Sequence, residues 1–154
     1  MEIINFKASN FRGDCFTDRE FEPYLLKMNE VLIKHEMICV VTSSGRKDAN
    51  VKGAIVTPAK KSNHMVYQAI DFNLIDKFGK YYNSTKLGDG VGPDEFCLKE
   101  IVEVTKLRWG QTFNHPDSVH LDSNLNNLHP DVWLKKYKEL HKARQENKKL
   151  TKTV

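Results

Sequence analysis

The sequence predicts a single α+β domain in which a small central sheet is flanked by helices. Its 154 residues are a usual length for one domain, and a chain of this size hides roughly 68–70% of its unfolded surface on folding. Hydrophobic residues make up 40% of the chain and charged residues 29%, which indicates a globular protein with one core. Segments with helical spacing occur between short apolar runs typical of strands, and this mixture indicates the α+β class.

Three segments carry a helical pattern. The first is predicted for residues 23–36, because Pro23 suits the first turn of a helix and apolar residues follow at helical spacing. The second covers residues 94–104. The third runs from residue 131 to about residue 148, where Trp133 begins an apolar stripe and lysines occupy the other positions. Such a stripe is typical of a helix that packs on a core.

Three short apolar runs are typical of strands. They cover residues 37–41, 67–72 and 118–122, and each is bounded by polar or turn-forming residues. Residues 46–61 are polar and predict a long loop with at most one short strand, and residues 77–93 contain four glycines and predict a second long loop. Long loops in a compact domain are usually functional or disordered.

Positive charge is concentrated at the C-terminal end. The net charge is +4, and residues 131–154 contain eight Lys or Arg against three Asp or Glu. This segment could attract an anionic partner such as a cell-wall polymer or a nucleic acid. The favoured interpretation is a solvated helix face with a frayed tail, since the only aromatic residues within the basic run are Trp133 and Tyr137, which packing explains better. We therefore do not expect nucleic-acid binding, and we expect a monomer.

Membrane insertion and secretion are not expected. No apolar run approaches the ~20 residues that a membrane span needs. Residues 1–7 lack a basic start followed by an apolar stretch, so we expect no secretory signal. Delivery of the protein to a substrate outside the cytoplasm would then depend on another component.

The three cysteines predict neither a disulfide framework nor a thiolate zinc site. Cys15, Cys39 and Cys97 are odd in number and far apart, and none forms a Cys-x-x-Cys pair. Cys39 lies in an apolar run and is expected in the core, where a free cysteine behaves as a small hydrophobic residue.

Two histidines and a carboxylate form the candidate metal site. His64, Asp71 and His120 are the ligand types of a catalytic zinc, and a set of three protein ligands leaves one position open for water. An extended segment would place His64 and Asp71 roughly 23 Å apart, so the backbone between them must bend. Val119 and Leu121 flank His120, so in a strand they would face the core while His120 faces a cleft.

Two residues are candidates for proton transfer beside this site. Asp117 is the first, because it follows Pro116 where a loop enters the strand. Strand alternation would place Asp122, not Asp117, on the side of His120, although a turn at Pro116 removes that constraint. Asp122 could then hydrogen-bond a ligand histidine from behind. His115 is the second candidate, for proton transfer or for stabilising a transition state.

The segment around the first histidine resembles a family motif. Ser62, His64, Ala69 and Asp71 match in order the Ser-x-His-x-x-Gly-x-Ala-x-Asp pattern of the M15 metallopeptidases. This group contains zinc D-Ala-D-Ala carboxypeptidases and phage L-alanyl-D-glutamate endolysins, and the hedgehog signalling domain shares its fold. Tyr67 stands where the family has glycine, and this departure bears on substrate specificity and activity.

Three further segments are similar to elements of that family. Residues 117–120 resemble the acidic-x-x-His element, which carries the catalytic carboxylate and the third metal ligand in endolysin-type members. Residues 41–46 resemble a strand that ends in Thr-Ser-Gly-x-Arg, with one residue more here, so that Arg46 would bind substrate or the developing oxyanion. Residues 107–110 resemble a Trp-Gly element found before the last ligand. His115 could match the catalytic histidine of carboxypeptidase-type members.

The resemblance implies a fold, a cofactor and an activity. We expect a mostly antiparallel sheet with Zn²⁺ in a cleft, bound by His64, Asp71 and His120, and a peptidase that hydrolyses peptide bonds of peptidoglycan stem peptides. It implies a phage or prophage protein made in the host cytoplasm, which acts on the cell wall after release or as part of a virion. The alternative is a non-catalytic peptidoglycan-binding or virion-structural module that keeps the fold, and Tyr67 motivates it.

Overall fold

The computed structural model describes residues 1–46, 61–90 and 92–152 of the chain. Both helices and strands occur along these residues, as expected for an α+β domain. The described strands are β1 (Ile3–Asn5), β2 (Phe11–Arg12), β3 (Phe16–Asp18), β4 (Ile38–Ser43), β5 (Ala69–Ile75), β6 (Tyr81–Tyr82), β7 (Arg108–Trp109) and β8 (His120–Asp122). The described α-helices are α1 (Glu22–Lys34), α2 (Pro93–Thr105), α3 (Leu125–Leu128) and α4 (Pro130–Lys152), and short 3₁₀ helices cover Arg19–Phe21, Asn63–Val66 and Gly110–Thr112.

Strand β5 lies at the centre of a sheet that is mostly antiparallel. It pairs with β4 on one side and with β8 and β6 on the other, and β7 pairs with β8. These pairings are antiparallel, whereas β2 adds to β4 in the parallel direction. Strands β1 and β3 form a separate antiparallel pair. The expected mostly antiparallel sheet with flanking helices is therefore confirmed.

The hydrophobic core lies between one face of this sheet and the helices α1 and α2. Along β5 the buried residues Ile70, Phe72 and Leu74 alternate with the partly exposed Asp71 and Asn73. The three apolar side chains belong to the same buried cluster as the inner faces of α1 and α2, and those two helices pack against each other. Since side chains alternate across a strand, Asp71 is directed to the opposite face.

Helix α4 covers a second, smaller cluster. Trp133 is 3% exposed and packs with Met65 and Val66 of the 3₁₀ helix Asn63–Val66. Its Nε1–H donates to the carbonyl of Ser62 at 3.3 Å. The predicted apolar stripe of this helix is thus a core contact, and it supports the segment that carries His64.

Lys136 departs from the expectation that the lysines of α4 are solvated. Its Nζ lies 2.7 Å from Asp18 Oδ2 and 2.6 Å from Glu20 Oε2, and Lys136 is only 8% exposed. Asp18 Oδ2 also accepts from Gln68 Nε2 at 2.9 Å. This buried ion pair joins the C-terminal helix to the N-terminal strand pair.

Most predicted helices and strands are present, but their first or last residues differ from the predicted ones. The helices predicted for residues 23–36 and 94–104 are α1 and α2, and the third extends to Lys152. The strand predicted for residues 67–72 begins later, at Ala69, because Tyr67 has a left-handed backbone with φ of 61°. The strand predicted for residues 118–122 is shortened to β8, because the residues before His120 form a turn.

Other predictions have mixed outcomes. Strands β1, β2, β3, β6 and β7 are only two or three residues long and were not predicted. The short strand suggested within residues 46–61 falls largely outside the described residues. Cys15, Cys39 and Cys97 are all buried and free. In the part of the chain that the structure describes, no helix has the length and apolar character needed to cross a bilayer.

Candidate metal centre

His64, Asp71 and His120 come together with their ligand atoms in a small triangle. His64 Nε2 lies 3.1 Å from Asp71 Oδ1 and 3.2 Å from His120 Nδ1, and His120 Nδ1 lies 3.0 Å from Asp71 Oδ1. Ligand atoms at 2.0–2.1 Å from a tetrahedral zinc are about 3.3 Å apart. The triangle therefore has nearly the dimensions of one face of a zinc tetrahedron, and the donor set fits this ion with a fourth position left over.

A sharp bend of the backbone places His64 next to Asp71. Ser62 caps the 3₁₀ helix Asn63–Val66, because its Oγ accepts from the backbone N–H of His64 at 3.2 Å. Tyr67 then ends that helix in the left-handed conformation, and β5 begins two residues later. The expected bend between the two ligands is thus a 3₁₀ turn closed by a reversal at Tyr67.

Strand pairing places Asp71 next to His120. The two residues are direct cross-strand partners on β5 and β8, so their side chains share one face of the sheet. Leu121 is fully buried in the core on the opposite face, and Val119 packs partly against it. The alternation predicted around His120 is therefore present.

A backbone carbonyl sets the tautomer of His64. The Nδ1 atom of this residue lies 2.7 Å from the carbonyl oxygen of Ser44. A carbonyl only accepts, so Nδ1 carries the proton and Nε2 keeps the lone pair that faces the other ligands. Ser44 follows β4 just after a register shift between Val41 and Ser43.

A carboxylate sets the tautomer of His120. Its Nε2 lies 2.7 Å from Asp122 Oδ2, so Nε2–H donates to Asp122 and Nδ1 is left to bind a metal. Asp122, 1% exposed, also accepts two hydrogen bonds from Arg108, at 2.9 and 2.7 Å. Asp122 thus has the position expected for it behind the ligand, whereas the sequence did not indicate Arg108.

The charges of the site are mutually stabilised. Burial favours the neutral form of Asp71, but the imidazoles of His120 and His64 beside it outweigh burial and hold the pKa of Asp71 well below its usual range. Burial also opposes a charge on His120, yet the carboxylates of Asp122 and Asp71 raise its pKa to about 9. Without a metal, Nδ1 of His120 therefore carries a proton at neutral pH, and a metal that binds this atom must displace it. The pKa of Asp122 falls to about 2, because the partners His120 and Arg108 outweigh its burial. Both carboxylates are ionised at neutral pH, as metal binding requires.

Asp117 lies in the turn that leads into His120. Its backbone N–H donates to the carbonyl of Gly110 at 2.9 Å, and its own carbonyl accepts from the N–H of His120 at 3.2 Å. Burial and the charge of Asp71 raise the pKa of the Asp117 carboxyl, while the two ligand histidines act in the opposite direction. Asp117 therefore shares the electrostatic environment of the ligands.

Gly110 allows this turn to pack closely. A Cβ atom on Gly110 would lie 2.2 Å from the carbonyl oxygen of Asp117 and 3.0 Å from the Cβ of His120. Neither contact leaves room for a methyl group. The glycine of the Trp-Gly element is thus required by the close approach of the turn that carries Asp117.

Arg46 and His115 have different positions relative to the ligands. The backbone N–H of Arg46 donates to the carbonyl of His64 at 3.0 Å, and its Nη2 donates to Ser62 Oγ at 3.3 Å. His115 is exposed, and within the described residues no hydrogen bond, ion pair or ring contact joins it to a ligand. The ring of Phe113 instead lies against that of His120, with centroids 5.5 Å apart. The sequence did not indicate Phe113.

Tyr67 takes the backbone conformation for which glycine is usually chosen. Its φ of 61° and ψ of 33° lie in the left-handed region, where a Cβ is unfavourable. The ring lies against Gly45, so closely that a Cβ on Gly45 would lie 1.8 Å from Tyr67 Cδ1. The departure from the family's glycine is accommodated by a second glycine across the bend.

Comparison with known proteins gives no further assignment. No protein-family model matches the chain, and no curated protein matches it. The case for a function therefore rests on the chemistry of the site and on the motif.

Proposed function

We propose that this chain is a zinc-dependent peptidase that hydrolyses peptide bonds of peptidoglycan stem peptides. The observation that supports it most is the triangle of His64 Nε2, Asp71 Oδ1 and His120 Nδ1, with sides of 3.0–3.2 Å. The substrate class, and action on the cell wall as a phage or prophage protein, come from the resemblance of residues 62–71 to the M15 motif.

The residues would divide the chemistry as follows. His64, Asp71 and His120 would hold Zn²⁺, which supplies Lewis acidity to polarise a peptide carbonyl and to activate water. Two neutral imidazoles and one carboxylate leave this ion with a net positive charge. The partners Ser44 and Asp122 keep both imidazoles in the tautomer that offers a lone pair to the ion.

Asp117 is proposed as the group that moves the proton. A general base accepts the proton of the attacking water and then gives it to the leaving amine, and it works best when its pKa is close to the working pH. The raised pKa of Asp117 moves this carboxyl in that direction. Its location in the turn before His120 supports this role.

Arg46 is proposed to bind a negatively charged group of the substrate or of the transition state. Its backbone and guanidinium are both hydrogen-bonded to the segment that carries His64. A guanidinium fixed beside a metal centre can orient a substrate carboxylate or stabilise the oxyanion that develops in the transition state.

Metal replacement with a matched pair of variants tests the proposal. After treatment with a chelator and return of zinc, we expect one zinc per chain and release of new amino termini or free D-alanine from purified cell walls. His64→Ala should lose both properties, because two ligands hold zinc poorly. His129→Ala removes an exposed histidine and should keep both.

Two outcomes would contradict the proposal that this chain is an enzyme. Full activity of His64→Ala on cell walls would exclude the metal centre as the catalyst. Zinc-loaded protein that binds cell walls but releases no product would favour the non-catalytic binding module. Mass spectrometry of the released muropeptides would identify which bond is cut, and so separate an endopeptidase from a carboxypeptidase.

A further inference from the structure

We propose a second metal site, for Ca²⁺, formed by Asp89, Asp94 and Glu95. One carboxylate oxygen of each residue lies within 4.8 Å of the other two. Oxygen atoms bound to one Ca²⁺ at 2.3–2.6 Å lie at most about 5 Å apart, so a single ion can reach all three. Asp94 and Glu95 belong to the first turn of α2, and Asp89 belongs to the loop before it.

Two of these carboxylates are buried without an adequate partner. Asp94 is 1% exposed and Glu95 5% exposed. Within the described residues, neither oxygen of Asp94 receives a hydrogen bond, and neither does Glu95 Oε2. The other oxygen of Glu95 has only Lys99 Nζ at 3.8 Å, from a side chain that is 62% exposed. Buried polar groups are almost always hydrogen-bonded, so we expect a bound ligand to supply the partner that these oxygens lack.

Protonation alone does not satisfy this cluster. Burial, together with Asp89 and Glu95, raises the pKa of Asp94, and backbone N–H groups of the first turn of α2 act against this rise without reaching hydrogen-bonding geometry. A protonated Asp94 would relieve repulsion but would leave Glu95 Oε2 without a hydrogen bond. One divalent cation would bind one oxygen of each carboxylate and offset two of the three negative charges.

The donor set selects a hard cation. The cluster contains carboxylates alone, without a histidine or cysteine, and such oxygen ligands suit Ca²⁺ or Mg²⁺ rather than zinc. Ca²⁺ is the better match, because it accepts irregular coordination whereas Mg²⁺ demands near-ideal octahedral geometry. Gly92 supports the arrangement: its φ is 101°, and a Cβ there would lie 2.8 Å from Asp94 Oδ1.

Titration of the zinc-loaded full-length chain with Ca²⁺ tests the site. Calorimetry should show one Ca²⁺ per chain. If the Kd lies near ~10⁻⁴–10⁻³ M, ~10 mM Ca²⁺ should raise Tm by about 3–10 °C. Asp94→Asn should lose the heat and the Tm shift, and without Ca²⁺ it should melt higher than the wild type, because one unpartnered charge is gone. Glu103→Gln, an exposed carboxylate on the same helix, should behave as the wild type.

The two metal sites are distinguished by a third variant. His64→Ala should bind Ca²⁺ as the wild type does, so loss of Ca²⁺ binding in that variant would contradict a separate site. The inference is also overturned if the wild type shows neither heat nor a Tm shift, or if Mg²⁺ stabilises it more than Ca²⁺. Glu95→Gln provides the same test if Asp94→Asn fails to fold, and undiminished Ca²⁺ binding in the folded variant would reject the proposed ligands.

Discussion

Asp117 and His115 are both able to move a proton, but their surroundings differ. Asp117 is half-buried, and its carboxyl is influenced by Asp71 and by both ligand histidines. His115 is exposed and has no contact with the ligands among the residues described. Proximity to the reacting atoms matters first for a general base, so the structure favours Asp117.

We therefore expect Asp117→Asn to keep zinc and to lose most activity. Removal of a general base usually lowers the rate by about 10²–10⁴-fold, whereas His115→Ala should change the rate by less than about tenfold. The measurement is the release of amino termini from cell walls by variants with equal zinc content. A large loss for His115→Ala with little change for Asp117→Asn would reverse the assignment.

The three candidate ligands were predictable from sequence, and their hydrogen-bonding partners were less so. His64, Asp71 and His120 have distinctive types and spacing, and Asp122 could be inferred because it lies two residues from His120 on one strand face. The Ser44 carbonyl could not, because every residue has a carbonyl and its direction is set only by the folded backbone. Arg108 reaches Asp122 only through the pairing of β7 with β8.

At the scale of elements, the turn between the 3₁₀ helix Gly110–Thr112 and β8 decides the geometry of the site. It carries Asp117 and sets the start of β8 at His120. Gly110 lies under this turn, with no space for a side chain. Long helices could be predicted because their apolar periodicity extends over many residues, whereas strands of two or three residues offer too few positions to show a pattern.

Gly110→Ala should disturb both stability and the metal centre. The added methyl group must displace the Asp117 carbonyl, and such overpacking typically costs about 1–3 kcal/mol. We expect lower stability in urea and weaker zinc binding, since His120 moves with the turn. Asn114→Ala, at an exposed position of the same segment, is the control. A Gly110→Ala protein with wild-type stability and zinc affinity would show that the turn can relax freely.

At the scale of the whole molecule, Lys136 ties the last helix to the beginning of the chain. It forms ion pairs with Asp18 and Glu20, one helical turn after the apolar contact of Trp133. Helix α4 in turn supports the 3₁₀ helix that carries His64. A lysine within a basic helix is expected to be solvated, so sequence alone gave no sign of this contact, which depends on residues more than 110 positions away.

Lys136→Met should destabilise the protein by about 3 kcal/mol. The substitution keeps most of the apolar stem but leaves Asp18, which is 1% exposed, without its charged partner, and removing one member of a buried pair typically costs about 3–5 kcal/mol. Because Glu20 is largely exposed, we expect the lower end of that range. Lys135→Met, at the exposed neighbouring position, should cost less than about 0.5 kcal/mol. Equal stability of the two variants in urea would contradict the structural role of the pair.

The three buried cysteines have a practical consequence for following the opening of this molecule. Burial raises the pKa of Cys15 and of Cys97 to about 12, and it raises that of Cys39 well above its usual value. Thiol reagents attack the thiolate, so the folded chain resists them and reacts only when its core opens. The rate of alkylation at each cysteine therefore measures how often the core around that cysteine opens.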